Sequence, residues 1–154
     1  FDARSCMTTT GAKVFVDTNV LLRAQINAAP LHNQAVKLIL EQRTNGAELW
    51  ISRQVIREYI MQVTRQQAYM EPLPIDVVEL ELQIISRTFR IADETDAVTK
   101  RLISLLKAYP TGGKQVHDAN IVATMLVNGI DTLLTQNTKD MERFAPVITI
   151  IPLA

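Results

Sequence analysis

Cysteine is almost missing from this chain. Cys6 is the single one among 154 residues, which excludes an internal disulfide framework and zinc sites built on two cysteines. Net charge is missing as well, because 16 Lys and Arg balance 16 Asp and Glu. A wholesale electrostatic binder of nucleic acid would be more basic, so any such contact has to use a local patch. No apolar run reaches the roughly 18 residues that span a membrane. The two histidines, His32 and His117, are remote from each other in sequence and make no zinc ligand set. No serine stands on a glycine-flanked elbow, and Gly112-Gly113 lacks the spacing of a phosphate-cradling loop.

What is present is a large apolar fraction, 47%, enough for a folded core rather than disorder. The hexapeptide Phe1-Asp2-Ala3-Arg4-Ser5-Cys6 ahead of Met7 is expected to be a cloning remnant or a disordered N-terminus, leaving residues 7–154 as one domain. A chain starting at Met7 would have no cysteine, and neither a secretory leader nor a membrane span is indicated, so the expected location is a reducing cytoplasm.

Short apolar runs alternate with amphipathic stretches. Residues 13–17 read as a buried strand, and 31–43 as a helix stopped by Asn45-Gly46. A strand is expected at 49–51, then a helix capped by Ser52 and running to about Gln67. Pro72 and Pro74 mark a linker, Asp76 is expected to cap a helix to about Ser86, and 89–91 is a third strand. A helix from Asp93 or Thr95 ends before Pro110, another spans 115–127, and strands follow at 132–134 and 147–151. Strands alternating with helices predict a three-layer α/β/α domain with a mainly parallel sheet of four or five strands.

Three carboxylates stand out on this frame. Asp17 ends the apolar run from Lys13 to Val16, at the strand end where ligand sites of open α/β sheets lie. A helix cap is the plain alternative for it, although Thr18 and Asn19 offer caps of their own. Asp118 shares a helical face with Ile121, Val122 and Met125, so it is expected to be partly buried, at a cost that the helix dipole would not offset. Glu58 flanks the apolar stripe of Val55, Tyr59, Ile60 and Val63, a position that a solvated glutamate also fits. Several buried carboxylates need a cation, and hard oxygen donors suit Mg²⁺ or Mn²⁺. The loop from Thr135 to Asp140 also follows a strand, and Asp140 could simply cap a turn through Phe144. His117 lies about 100° round the helix from Asp118, which favours a structural or substrate-side contact.

Four segments in this order resemble a PIN domain: Val14-Phe15-Val16-Asp17-Thr18-Asn19-Val20-Leu21, Ile51 to Glu58, His117 to Thr124, and Leu133 to Asp140. The resemblance covers about residues 13 to 151 and is strongest to bacterial VapC-like toxins of toxin–antitoxin pairs. It implies a Mg²⁺- or Mn²⁺-dependent ribonuclease, a protein antitoxin as partner, and a homodimer. Asp17, Glu58 and Asp118 fall on the family's three acidic positions, as catalytic and metal-binding residues. Its fourth acidic position falls on Asn137, an amide without charge, and Asp140 is close enough in sequence to substitute. Asn19 and Thr135 are implied as supports that orient carboxylates or water. Lys114, Arg53, Arg57 and Arg23 are the candidate phosphate contacts. Two rivals stand beside this reading: a phosphatase that phosphorylates Asp17, whose pattern wants an acid where Asn19 stands, and a degenerate PIN scaffold that binds RNA or protein without cleaving.

Overall fold

The computed structural model describes residues 11–153; the expected remnant at 1–6 lies outside them. Five strands form one wholly parallel sheet: β1 (Lys13–Val16), β2 (Glu48–Ser52), β3 (Arg90–Ala92), β4 (Thr132–Thr135) and β5 (Thr149–Pro152). Their spatial order is β3-β2-β1-β4-β5. The chain therefore starts in the middle, builds outward through β2 and β3, then crosses back to place β4 on the other side of β1. That reversal opens a crevice at the carboxyl ends of β1 and β4. Register is set by Phe15 opposite Trp50 on one side and opposite Leu133 on the other.

Helices fill the connections. They are α1 (Thr18–Gln25), α2 (His32–Thr44), α3 (Arg53–Val63), α4 (Ile75–Thr88), α5 (Asp96–Ala108), α6 (Gln115–Val127) and the single turn α7 (Thr138–Met141), which runs into a 3-10 turn at Glu142–Phe144. α1 packs against α2 and α3, while α5 packs against α6. Val14, Phe15 and Val16 are buried on a strand covered from both faces, as parallel strands require. α6 is buried almost all round, from Ala119 through Met125, which explains why its sequence is nearly continuous apolar rather than striped. Gly129, at φ +68, makes the left-handed stop behind it.

Several element boundaries differ from the sequence reading. α3 ends at Val63, not Gln67, because the chain turns back and the Leu73 amide donates to the Val63 carbonyl at 2.8 Å. α4 begins at Ile75 with Pro74 in the cap position, so Asp76 sits in the first turn, favourable to the helix dipole, rather than capping it. Phe89 terminates α4, which moves β3 one residue on. β5 starts at Thr149 because the amides of Val147 and Ile148 are taken by the Phe144 carbonyl. Ser52 does cap α3, accepting from the Val55 amide at 3.3 Å. Among the described residues no helix is long and apolar enough to cross a membrane.

Candidate active site

Asp17 is the first residue beyond β1, and its amide continues the sheet by donating to the Leu134 carbonyl at 3.0 Å. Its side chain is only 5% exposed. One carboxylate oxygen accepts from the Thr18 amide at 2.8 Å, which makes Asp17 the cap of α1 as well. The other accepts from the Thr135 hydroxyl at 2.7 Å and, at 3.4 Å, from the Asn19 amide nitrogen. Burial pushes the carboxyl up to about 6; the bonds from Thr135 and Thr18 oppose that, and the charges of Glu58 and Asp118 reinforce it. The Gln136 amide ties the end of β4 to α1 by donating to the Asn19 side chain at 3.0 Å, and the Asn137 amide donates to the Thr135 hydroxyl at 2.9 Å. Capping and site placement are thus not alternatives for Asp17, because one side chain has two oxygens.

Glu58 reaches the same place from α3. Val55, Tyr59 and Val63 bury one face of that helix completely, which fixes its rotation and leaves Glu58 on the flank, partly buried. One of its oxygens accepts from the Thr18 hydroxyl at 2.6 Å, the other from the Gln54 side-chain nitrogen at 2.9 Å. Gln54 is a residue the sequence reading missed. It is 4% exposed, donates also to the His117 carbonyl at 2.9 Å, and accepts from the Asn120 side chain at 2.8 Å. It ties α3 to the first turns of α6, and so sets Glu58 against Asp118. The available signal was the Gln54–Glu58 pair at i, i+4. His117 contributes its backbone carbonyl to this tie.

Asp118 projects from the first turn of α6 and is partly buried. Its carboxyl is raised, by burial first and then by the charges of Asp140 and Glu58, against the lowering influence of Arg143 and His117. Arg143 is held by bonds to the Asp140 carbonyl at 3.1 Å and the Gln115 side chain at 3.0 Å. Asp140 thus acts on Asp118 through charge.

Asp17, Glu58, Asp118, Asn19 and Asn137 all line one cavity of about 460 Å³ at the carboxyl edge of the sheet; Asp140 does not. Of the four basic residues named from sequence, only Arg23 lines it. Arg23 is braced by bonds to the Gln136 side chain and the Pro30 carbonyl, both 2.7 Å. Arg53 and Arg57 instead pair with Asp93 at 3.1 Å and Glu94 at 3.0 Å, and Lys114 is exposed before α6. Proximity along the chain did not carry those three to the cavity.

The donor set is all oxygen, as Mg²⁺ or Mn²⁺ prefers, and among the described residues no Lys or Arg forms an ion pair with any of the three acids. A cation would relieve the burial and repulsion that raise Asp17 and Asp118. As placed, however, no three Asp, Glu, His or Cys side chains among the described residues are gathered tightly enough to hold one directly. Glu58 is held off by Thr18 and Gln54. The residues fit the ion by their chemistry, an all-oxygen set that lines one cavity.

Comparison with known proteins agrees with this architecture. No curated protein matches the chain in sequence. Solved structures share its fold at low identity. VapBC2 from Rickettsia felis, bound to a promoter DNA fragment, superposes with a TM-score of 0.62 at 17% identity, covering 91% of this chain and 98% of its own. A toxin–antitoxin complex from Klebsiella pneumoniae gives 0.61 at 20%, with 92% and 98% covered. VapC20 of Mycobacterium tuberculosis, a toxin that cleaves the sarcin-ricin loop, gives 0.59 at 18%, with 78% and 86% covered. The PIN domain family matches residues 14–146, which take in four of the five strands and every acid of the cavity, and the chain belongs to that family.

Proposed function

We propose that this protein is a metal-dependent endoribonuclease that hydrolyses RNA phosphodiester bonds, and that it is the toxin of a toxin–antitoxin pair. One observation carries the nuclease reading: acids from three separate elements, Asp17 after β1, Glu58 on α3 and Asp118 on α6, line one cavity at the sheet's switch point. Burial of that kind is costly for stability alone, and such sites are where function is placed. Asp17, Asp118 and Glu58 would hold Mg²⁺ or Mn²⁺, with Asn137 contributing a neutral oxygen. When bound, the ion would lower the pKa of the attacking water and offset charge on the phosphate.

The remaining work falls to the protein's own groups. Thr135 and the Thr18 amide fix both oxygens of Asp17, so its geometry is set before substrate arrives. Arg23, which lines the same cavity as the acids, presents a braced guanidinium to a phosphate. Gln54 and Thr18 hold Glu58 oriented in reserve. The toxin assignment is supported by the likeness to the Rickettsia, Klebsiella and Mycobacterium structures, and it brings with it an antitoxin protein as partner, a homodimer and a cytoplasmic location.

A second reading has one observation behind it. Asn137 places an amide where the family carries a fourth acid, and the carboxylates stand apart, as in a PIN scaffold that binds RNA without cleaving. Incubation of an RNA pool with the protein, with and without Mn²⁺, separates the two. The nuclease reading expects cleavage that needs the ion and is lost in Asp17→Asn; binding without cleavage supports the scaffold.

A further inference from the structure

Much of the cavity wall is not acidic. One turn beyond Glu58, α3 presents Met61 and Gln62, and the loop after α3 folds back so that Gln67 and Tyr69 line the same space. That loop is pinned without being part of a helix or strand. The Gln67 amide donates to the Met70 carbonyl at 3.1 Å, and the Gln67 side-chain nitrogen donates to both the backbone and the side-chain oxygen of Gln62, at 3.0 and 2.9 Å. The amide pair uses the carbonyl of Gln62 and the NH₂ of Gln67. Among the described residues this leaves the NH₂ of Gln62 as a donor and the side-chain carbonyl of Gln67 as an acceptor, on two residues that both line the cavity.

An aromatic ring, a polarisable thioether and an unspent donor–acceptor pair are what a nucleobase needs: a surface for its face and partners for its edge. Proteins that recognise unpaired RNA use this combination, stacking a base on an aromatic side chain and bonding its Watson–Crick edge. The volume of about 460 Å³ lies within the range of roughly 300–1,000 Å³ typical of small-ligand sites. Arg23 and the acids, on the remaining wall, provide for the phosphate that such a base would carry.

We propose that Tyr69 and the Gln62–Gln67 amide pair form a subsite for one unpaired base adjacent to the scissile phosphate. The proposal rests on the nuclease reading for the phosphate being scissile, but base binding itself does not need cleavage. A paired base has its edge engaged and its faces stacked, so the subsite selects single-stranded or looped RNA over duplex.

The test measures binding and cleavage separately. Fluorescein-labelled hexanucleotides of A, C or U, and an abasic ribose–phosphate oligomer of the same length, are titrated into the Asp118→Asn protein in Mg²⁺, then into the same protein carrying Tyr69→Ala or Tyr69→Phe. Base-containing RNA should bind the Tyr69→Ala protein about ten- to a hundredfold more weakly, the abasic oligomer should be unaffected, and Tyr69→Phe should restore binding because stacking needs the ring and not the hydroxyl. Gln62→Leu should change the order of preference among A, C and U. Retention of base-containing RNA within twofold by Tyr69→Ala overturns the subsite, as does an equal loss for the abasic oligomer. Wild-type cleavage of an RNA pool, run in parallel, reports on the nuclease reading alone: a Tyr69-dependent base effect without any cleavage keeps the subsite and removes the nuclease.

Discussion

Burial raises the Asp17 carboxyl from an ordinary 3.8 to about 6. A carboxyl raised on folding holds its proton more tightly in the folded chain, so it favours the fold below about 3.8 and that advantage fades as pH rises through about 6. The difference is worth roughly 3 kcal/mol. Metal-free protein should therefore lose melting temperature between pH 4 and 7 from this residue, and Asp17→Asn should flatten that slope. Thermal melts across the range check it; a wild-type slope unchanged by Asp17→Asn would show that the residue is not a source of pH dependence. Cleavage should run the other way, rising with pH, because only the ionised carboxylate holds a cation, and more added ion should move that rise to lower pH as the ion competes with the proton. Asp17 and Asp118 were legible as residues because an acid beside an apolar run has few innocent explanations. Gln54 was legible only as an i, i+4 neighbour of Glu58; its burial follows from its partners His117 and Asn120 on α6, which its own helix does not reveal.

Gln54 joins two elements, α3 and α6, and its removal should be felt in both. Gln54→Leu strands the Asn120 amide and one oxygen of Glu58, and is expected to cost about 1–3 kcal/mol. The RNA cleavage rate should fall with it, since Glu58 loses its orientation. Chemical denaturation and a cleavage assay measure the two effects; a stable Gln54→Leu protein with full activity would mean that Glu58 is positioned by Thr18 alone. Element type followed from the sequence where the signal is local, as in the short apolar run of β1 and the long one of α6. Element ends did not where they depend on contacts from elsewhere. Nothing between Thr64 and Gln67 forbids a helix; the Leu73 amide claims the Val63 carbonyl and ends it. The loop that carries Tyr69 was hidden for the same reason.

At the scale of the whole molecule, α4 leaves an apolar face uncovered: Val77 is 39% exposed, Leu80 60% and Ile84 57%. The apolar run at 121–127 is mostly consumed by this chain's own core, with Ile121 through Met125 buried. A homodimer would cover the α4 face. Light scattering should then give twice 17.3 kDa at micromolar concentration, and Leu80→Glu should return it to the single-chain mass; a wild-type mass near 17.3 kDa would exclude the dimer. The sheet order could not be read from the sequence, because alternation of strands and helices is compatible with several parallel orders. That order matters most for the site, since it brings β1 and β4 together and with them Asp17, Thr135 and Asn137.

The most direct measurement combines a thermal melt with an RNA cleavage assay, each with and without Mn²⁺, on the wild type and on Asp118→Asn. The wild type should gain stability on adding the ion, by about 2.7 kcal/mol at a hundredfold excess over Kd, and should cleave RNA only when the ion is present. Asp118→Asn should fold, lose the shift and lose cleavage. A wild type with neither a Mn²⁺-dependent shift nor cleavage of any RNA pool would contradict the nuclease, and leave a PIN scaffold that binds without cutting.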